Sequence, residues 1–184
     1  MNIRRLRVQV MLRAPFFGSM LHNIKIVEDK NIPTACIDKG LTARFNPVFM
    51  DALSEDEQIF VVCHELMHAV WLHVFRIFEW SNKDAVRMGN IAADYLVNYL
   101  LKEMRMTLPK CVTLYNHEYN PDAYTLEGLT KKLLEEQDKE DPQSGAGDGD
   151  ITNGNDILDS GGGDGEGTED QQVKQRAIEE TLRS

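Results

Sequence analysis

Residues 54–78 read SEDEQIFVVCHELMHAVWLHVFRIF, and this segment decides most of what the sequence predicts about the fold. It opens with a capping box, S-x-x-E, in which Ser54 caps the first turn of a helix and Glu57 bonds back to the cap. The acidic residues of that turn also complement the helix dipole. Because no glycine or proline interrupts it, the pattern predicts one amphipathic helix that ends near Phe78.

This helix carries the motif H-E-x-x-H, with His64 and His68 as its two histidines. Residues four apart in a helix are separated by about 40° around its axis, so both imidazoles can reach one metal ion. Glu65, beside the first histidine, is placed to act as general base on a water molecule. The motif therefore predicts a metal centre of the kind that metallopeptidases use, with zinc as the expected ion.

A catalytic zinc ion usually takes three protein ligands, and the sequence offers two candidates for the third. Asp94 is favoured because it lies at the centre of a polar stripe, with Asn90 and Asn98, on the next predicted helix, 84–104. Packed antiparallel, that helix would bring the stripe to the two histidines. His73 is the alternative, but on a continuous helix it points away from them, which favours a role behind the ligands or at the surface.

Other polar groups are expected to support the centre. Asn90 and Asn98 are expected either to orient the ligands and contact substrate, or to make ordinary hydrogen bonds at the edge of the core. A group that stabilises an oxyanion is also expected. The sequence does not choose among four candidates in the connection 108–124: Tyr115, His117, Tyr119 and Tyr124.

Charge and glycine are concentrated near the end of the 184-residue chain. Residues 138–170 hold eleven acidic residues against one lysine, which accounts for the whole formal charge of −10, and nine of the thirteen glycines. Such a composition predicts disorder. We therefore predict a folded domain over 1–137, a disordered acidic glycine-rich linker over 138–170 and a short helical stub over 171–184. The near-neutral remainder gives no signal for nucleic-acid binding.

The cysteines and the hydropathy pattern indicate a cytoplasmic location. Cys36, Cys63 and Cys111 are widely spaced and odd in number, which is not typical of a disulfide framework. The N-terminus lacks the apolar stretch of a signal peptide, and no apolar run approaches the roughly 20 residues that span a bilayer. No membrane partner is expected.

Four blocks of the sequence carry a resemblance to a known family: Phe45-Asn46-Pro47, HELMH at 64–68, His73 and NIAADYLVN at 90–98. Together they make residues 46–101 resemble a family of zinc metallopeptidase domains from bacteria and phages, often joined to a von Willebrand factor A-like domain. This region is also similar to zincins in which a downstream aspartate completes the metal site.

The resemblance implies zinc as the cofactor, His64, His68 and Asp94 as its ligands, and Glu65 as the base. It also implies a protein or peptide substrate, and a von Willebrand factor A-like domain or an AAA-type ATPase as partner. The alternative is a catalytically silent, metal-stabilised binding or adaptor module.

The fold that we predict is α+β and zincin-like, mostly helical with a small edge sheet. Residues 3–27 are predicted to be helical, with a break near Pro15 and Gly18 after which the helix resumes over residues 19–27. Residues 34–45 are predicted to form a short hairpin or edge strand around a Lys39-Gly40 turn. Its strand is expected to lie beside the cleft, where it could bind an extended peptide by strand addition. Thr125 is predicted to cap a third helix that ends near residue 137.

Overall fold

The computed structural model describes residues 2–77, 80–140 and 157–158. In chain order the elements are α1 (Ile3–Arg13), α2 (Pro15–Met20), β1 (Lys25–Glu28), β2 (Ala35–Asp38), β3 (Thr42–Phe45), α3 (Pro47–Asp51), α4 (Glu55–Val70), α5 (His73–Arg76), α6 (Lys83–Glu103), α7 (Leu126–Glu140) and β4 (Ile157–Leu158). The predicted class, α+β and mostly helical with a small sheet, is confirmed.

The predicted segments after residue 140 lie almost wholly outside the described residues. The helix α7 ends three residues beyond the predicted boundary at 137, and the two residues of β4 are described within the predicted linker. The division into a domain, a linker and a stub stays a prediction. Among the residues that the structure describes, no helix is both long and apolar enough to cross a bilayer.

The sheet has the strand order β1-β3-β2-β4. β2 and β3 form the predicted hairpin and pair antiparallel, with Ala35 opposite Phe45. β1 runs parallel to β3, and β4 runs parallel to β2. The prediction of a helix over residues 19–27 is wrong beyond Met20, where α2 ends. The β-branched pair Ile26-Val27 instead lies in β1 and completes the sheet beside β3.

The helix α4 is the central element of the core, and it packs against α1, β2 and α6. Its buried face includes Phe60, Val62, Cys63 and Leu66, each at most 1% exposed. The predicted helix 84–104 is present as α6, which lies against α4 and carries the polar stripe inward. The two helices that bear the candidate ligands are therefore held together by the main hydrophobic core.

The predicted capping box begins α4. The side-chain oxygen of Ser54 accepts a hydrogen bond from the backbone N–H of Glu57 at 3.4 Å, and Glu57 Oε2 accepts one from the backbone N–H of Ser54 at 2.9 Å. Thr125 caps α7 as predicted, accepting from the backbone N–H of Gly128 at 3.1 Å. These caps satisfy N–H groups that a helix leaves unpaired at its start.

Replacing Ser54 with alanine is expected to destabilise the protein by about 1 kcal/mol, because the first turn of α4 loses its cap. Urea unfolding followed by circular dichroism measures this free energy. Ser54→Thr keeps a hydroxyl for the capping box and should unfold near the wild-type midpoint. Equal midpoints for the alanine variant and the wild type would show that the cap contributes nothing.

The helix α4 ends at Val70, so the prediction of a continuous helix to Phe78 is wrong. Leu72 adopts the left-handed conformation with φ of 58°, which interrupts the helical backbone before α5 begins. Backbone hydrogen bonds on both sides of the turn hold it: Leu72 N–H donates to Ala69 at 3.0 Å, and Leu72 O accepts from Arg76 at 2.9 Å. The turn buries His73 and Val74.

Candidate metal centre

The structure brings together His64 and His68 of α4 with Asp94 of α6. The Nε2 atoms of His64 and His68 are 2.9 Å apart. Asp94 Oδ1 lies 3.5 Å from Nε2 of His64 and 3.2 Å from Nε2 of His68. All three side chains are buried. The four-residue spacing on α4 and the packing of α6 against it are enough to build this group.

The separations among these three atoms fit a metal ion. Atoms at 2.9, 3.2 and 3.5 Å from one another lie on a circle of radius about 1.9 Å. One ion could therefore be reached by all three atoms at the ligand distances of about 2.0–2.1 Å that zinc makes with nitrogen and oxygen. Asp94 Oδ1 has no hydrogen-bond partner among the residues that the structure describes. A cation would satisfy this buried oxygen and both ring nitrogens.

The electrostatics of Asp94 suit a metal ligand. Burial raises the pKa of Asp94, but the neighbouring imidazoles of His64 and His68 outweigh that effect and hold the pKa below its ordinary value. The carboxyl group is therefore ionised at neutral pH. Together, the Asp94 carboxylate and the two imidazoles offer a divalent cation one negative charge and three ligand atoms.

Asn98 sets the orientation of His64. Its Nδ2 donates a hydrogen bond to the backbone oxygen of Leu114 at 2.9 Å, so its Oδ1 is the acceptor that faces His64 Nδ1, also at 2.9 Å. The proton of His64 is thereby placed on Nδ1, and the lone pair of Nε2 faces the metal group. This contact agrees with the expected role of Asn98 in orienting a ligand.

His73 lies against His68, and the prediction that it points away from the two histidines is wrong. The turn at Leu72 brings His73 Nδ1 to 3.2 Å from His68 Nδ1, with the His73 side chain buried. Burial, followed by the charge of His68, lowers the pKa of His73 well below its ordinary value. A neutral imidazole therefore lies directly behind one candidate ligand, on the side away from Asp94.

Asn90 is buried one helical turn before Asp94 on α6. Its Oδ1 has no hydrogen-bond partner in the part of the chain that the structure describes. The expected role of Asn90 in orienting ligands or contacting substrate stays a prediction.

A cleft of about 150 Å³ opens beside the metal group. His64, Glu65 and Asp94 line it together, so the expected base faces the same space as the candidate ligands. Much of the remaining wall is apolar, with contributions from Phe60 and Leu114. This arrangement can hold a substrate group against the ligands while apolar surface excludes bulk water.

The four candidates for oxyanion stabilisation lie away from this cleft. Tyr115 Oη is 3.3 Å from the ring of its neighbour His117, and Tyr119 Oη donates to Glu136 at 3.0 Å. Tyr124 Oη accepts from Lys132 at 3.0 Å. From the predicted connection 108–124, the residues that line the cleft are Cys111, Val112 and Leu114 instead.

The comparisons with known proteins agree with this geometry. The profile of a family described as "putative metallopeptidase domain" matches residues 4–182, nearly the whole chain. No curated protein matches the chain. No solved structure matches it either. With its H-E-x-x-H helix and the group formed by His64, His68 and Asp94, the chain belongs to this metallopeptidase domain family.

Proposed function

We propose that the protein is a zinc-dependent peptidase in which His64, His68 and Asp94 hold the ion and Glu65 acts as general base. The observation that carries this proposal is the buried three-ligand group beside Glu65 in one cleft. An adaptor module needs neither a base beside its metal nor an accessible space in front of it. Both features favour turnover.

The donor set favours zinc over other common cations. Two imidazole nitrogens and one carboxylate oxygen form the type of three-ligand set that catalytic zinc sites use. Calcium and magnesium prefer sites built from oxygen ligands alone. His64 and Asp94 also border the cleft, so water or a substrate group could approach an ion held there.

The chemistry assigned to this chain is hydrolysis of a peptide bond. Bound zinc would supply Lewis acidity, polarising a substrate carbonyl and lowering the pKa of water. Glu65 would accept the proton of the attacking water and pass it to the leaving amine. The hydrogen bond from His64 Nδ1 to Asn98 would keep His64 Nε2 directed at the ion.

The edge of β2 supports an extended peptide as the substrate. The backbone oxygen of Thr34 accepts a hydrogen bond from the N–H of Asn46, so these two residues form a hydrogen-bonded pair. Hydrogen-bonded and non-hydrogen-bonded pairs alternate along antiparallel strands, so the next pair, Ala35 and Phe45, is not hydrogen-bonded. The backbone N–H and C=O of Ala35 therefore point away from β3. Ala35 also lines the cleft. β4 pairs with the same edge further along, at Ile37 and Asp38. A substrate strand added beside Ala35 would pass the metal group.

Two statements stay predictions from the sequence and its family resemblance. One is a partner of the von Willebrand factor A-like or AAA-type ATPase class, and the other is a location in the cytoplasm. Neither is needed for the chemistry proposed at the metal group.

Removing the metal is expected to abolish hydrolysis and to lower the melting temperature. A ligand present at 100 times its Kd stabilises the folded state by about 2.7 kcal/mol, and chelation removes that contribution. The measurement is cleavage of a fluorescently quenched unfolded protein by zinc-loaded, chelated and zinc-restored samples, with melting curves for each.

Return of both activity and melting temperature at one zinc per chain would support the proposal. Cleavage that survives complete chelation would contradict it. Stoichiometric zinc without cleavage of any unfolded substrate would favour the adaptor alternative instead.

A further inference from the structure

We propose that His73 is a positioning residue for the metal centre, accepting a hydrogen bond from His68 Nδ1 and so directing His68 Nε2 at the ion. The inference rests on the proposed metal centre but does not depend on peptide hydrolysis. It assigns a function to a histidine that lies outside the H-E-x-x-H motif.

The two ring nitrogens of His68 have different surroundings. Its Nε2 lies 2.9 Å from His64 Nε2 and 3.2 Å from Asp94 Oδ1, and its Nδ1 lies 3.2 Å from His73 Nδ1. An imidazole that gives the lone pair of Nε2 to a metal carries its proton on Nδ1. That proton needs an acceptor, because both rings are buried.

His73 is suited to be that acceptor. When its own proton is on Nε2, its Nδ1 offers a lone pair to His68. Metal-bound histidines generally donate their second N–H to a neighbouring group, which sets the ring orientation. Asn98 does this for His64, and His73 provides the equivalent contact for His68.

The contact between His73 and His68 depends on the backbone turn at Leu72. Five residues along a continuous helix would place His73 about 140° from His68 around the axis. The left-handed conformation of Leu72 ends α4 and turns His73 back toward the ligand. For a residue other than glycine this conformation costs on the order of 1–2 kcal/mol, which the buried contacts of His73 and Val74 must offset.

The test compares His73→Leu with His73→Asn, because leucine and asparagine have nearly the same shape. Asparagine can present Oδ1 where the histidine presents Nδ1, whereas leucine offers no acceptor. Zinc affinity is measured by competition with a chromophoric chelator at constant pH, and melting of the metal-free variants reports folding separately. His22→Asn, at an exposed histidine, is the control.

We expect His73→Leu to bind zinc about 10–100-fold more weakly than the wild type, the usual effect of losing a group behind a metal ligand. His73→Asn should bind within a few-fold of the wild type. Equal zinc affinities for the leucine and asparagine variants would overturn the inference, since His73 would then act through packing alone.

A second measurement needs no variant. Long-range ¹H–¹⁵N correlation spectra of the zinc-loaded wild type should show His68 protonated at Nδ1 and metal-bound at Nε2. The reverse assignment would overturn the inference while leaving the metal centre in place. A wild type that binds no zinc would overturn the proposed function and this inference together.

Discussion

Asp94→Ala is expected to bind zinc at least about 100-fold more weakly than the wild type. Loss of a group behind a ligand costs about 10–100-fold in metal affinity, and loss of a ligand itself should cost more. The variant keeps two imidazoles but loses the oxygen that lies within 3.5 Å of both. It also loses the negative charge that the ionised Asp94 offers a cation.

Zinc content after dialysis, measured by elemental mass spectrometry, gives the first measure of this loss, and chelator competition gives the affinity. Asp84→Ala is the matched control, because Asp84 is an exposed aspartate in the first turn of the same helix. Stoichiometric zinc at wild-type affinity in Asp94→Ala would show that Asp94 is not a ligand.

Glu65→Gln is expected to reduce hydrolysis by at least about 100-fold while zinc affinity stays close to that of the wild type. A general base typically contributes about 10²–10⁴-fold, and a glutamine amide cannot accept the proton. Glu65 is only 1% exposed, so a substitution here must fit a packed position. Glutamine has almost the same size as glutamate, so the packing of α4 should be preserved.

Initial rates with the quenched unfolded substrate measure this effect, and chelator competition shows whether the metal is retained. Glu118→Gln removes one exposed carboxylate away from the cleft, so its rate should equal that of the wild type. If Glu65→Gln hydrolysed the substrate at a rate within threefold of the wild type, Glu65 would not be the base.

The metal group could be predicted from sequence because local patterns nearly suffice to build it. The capping box determines where α4 begins, and four-residue spacing places His64 and His68 on one face. The same periodicity places Asp94 and Asn98 on one face of α6. One further assumption, that α4 and α6 pack antiparallel through these faces, brings the two pairs together.

The surroundings of the group could not be predicted in the same way. A left-handed turn is usually marked by glycine in the sequence, but here the left-handed residue is Leu72. The burial of His73 and Val74 stabilises its conformation, and a local sequence pattern does not show that burial. Val74 gives no signal either: on a continuous helix it would lie about 80° from His64 around the axis, between Phe60 and Cys63, which are both buried.

Loop side chains were the other gap. Tyr119 and Tyr124 were candidates for the cleft because of their chemistry and their place in the chain. Their hydroxyl groups instead contact Glu136 and Lys132 on α7, a long-range pairing that no local pattern encodes. Hydrophobic periodicity predicts which face of a helix is buried, whereas the path of a loop depends on contacts with residues distant in sequence.

Asn98 links two parts of the molecule that would otherwise respond independently. Its rigid, planar amide holds His64 through one atom and the Leu114 backbone, part of the cleft wall, through another. A shift of that wall therefore reaches the ligand unless one of the two hydrogen bonds breaks. Binding at the two places is then coupled, and the coupling is reciprocal. If a bound cation changes the affinity of the cleft for a peptide by some factor, a bound peptide changes the affinity for the cation by the same factor.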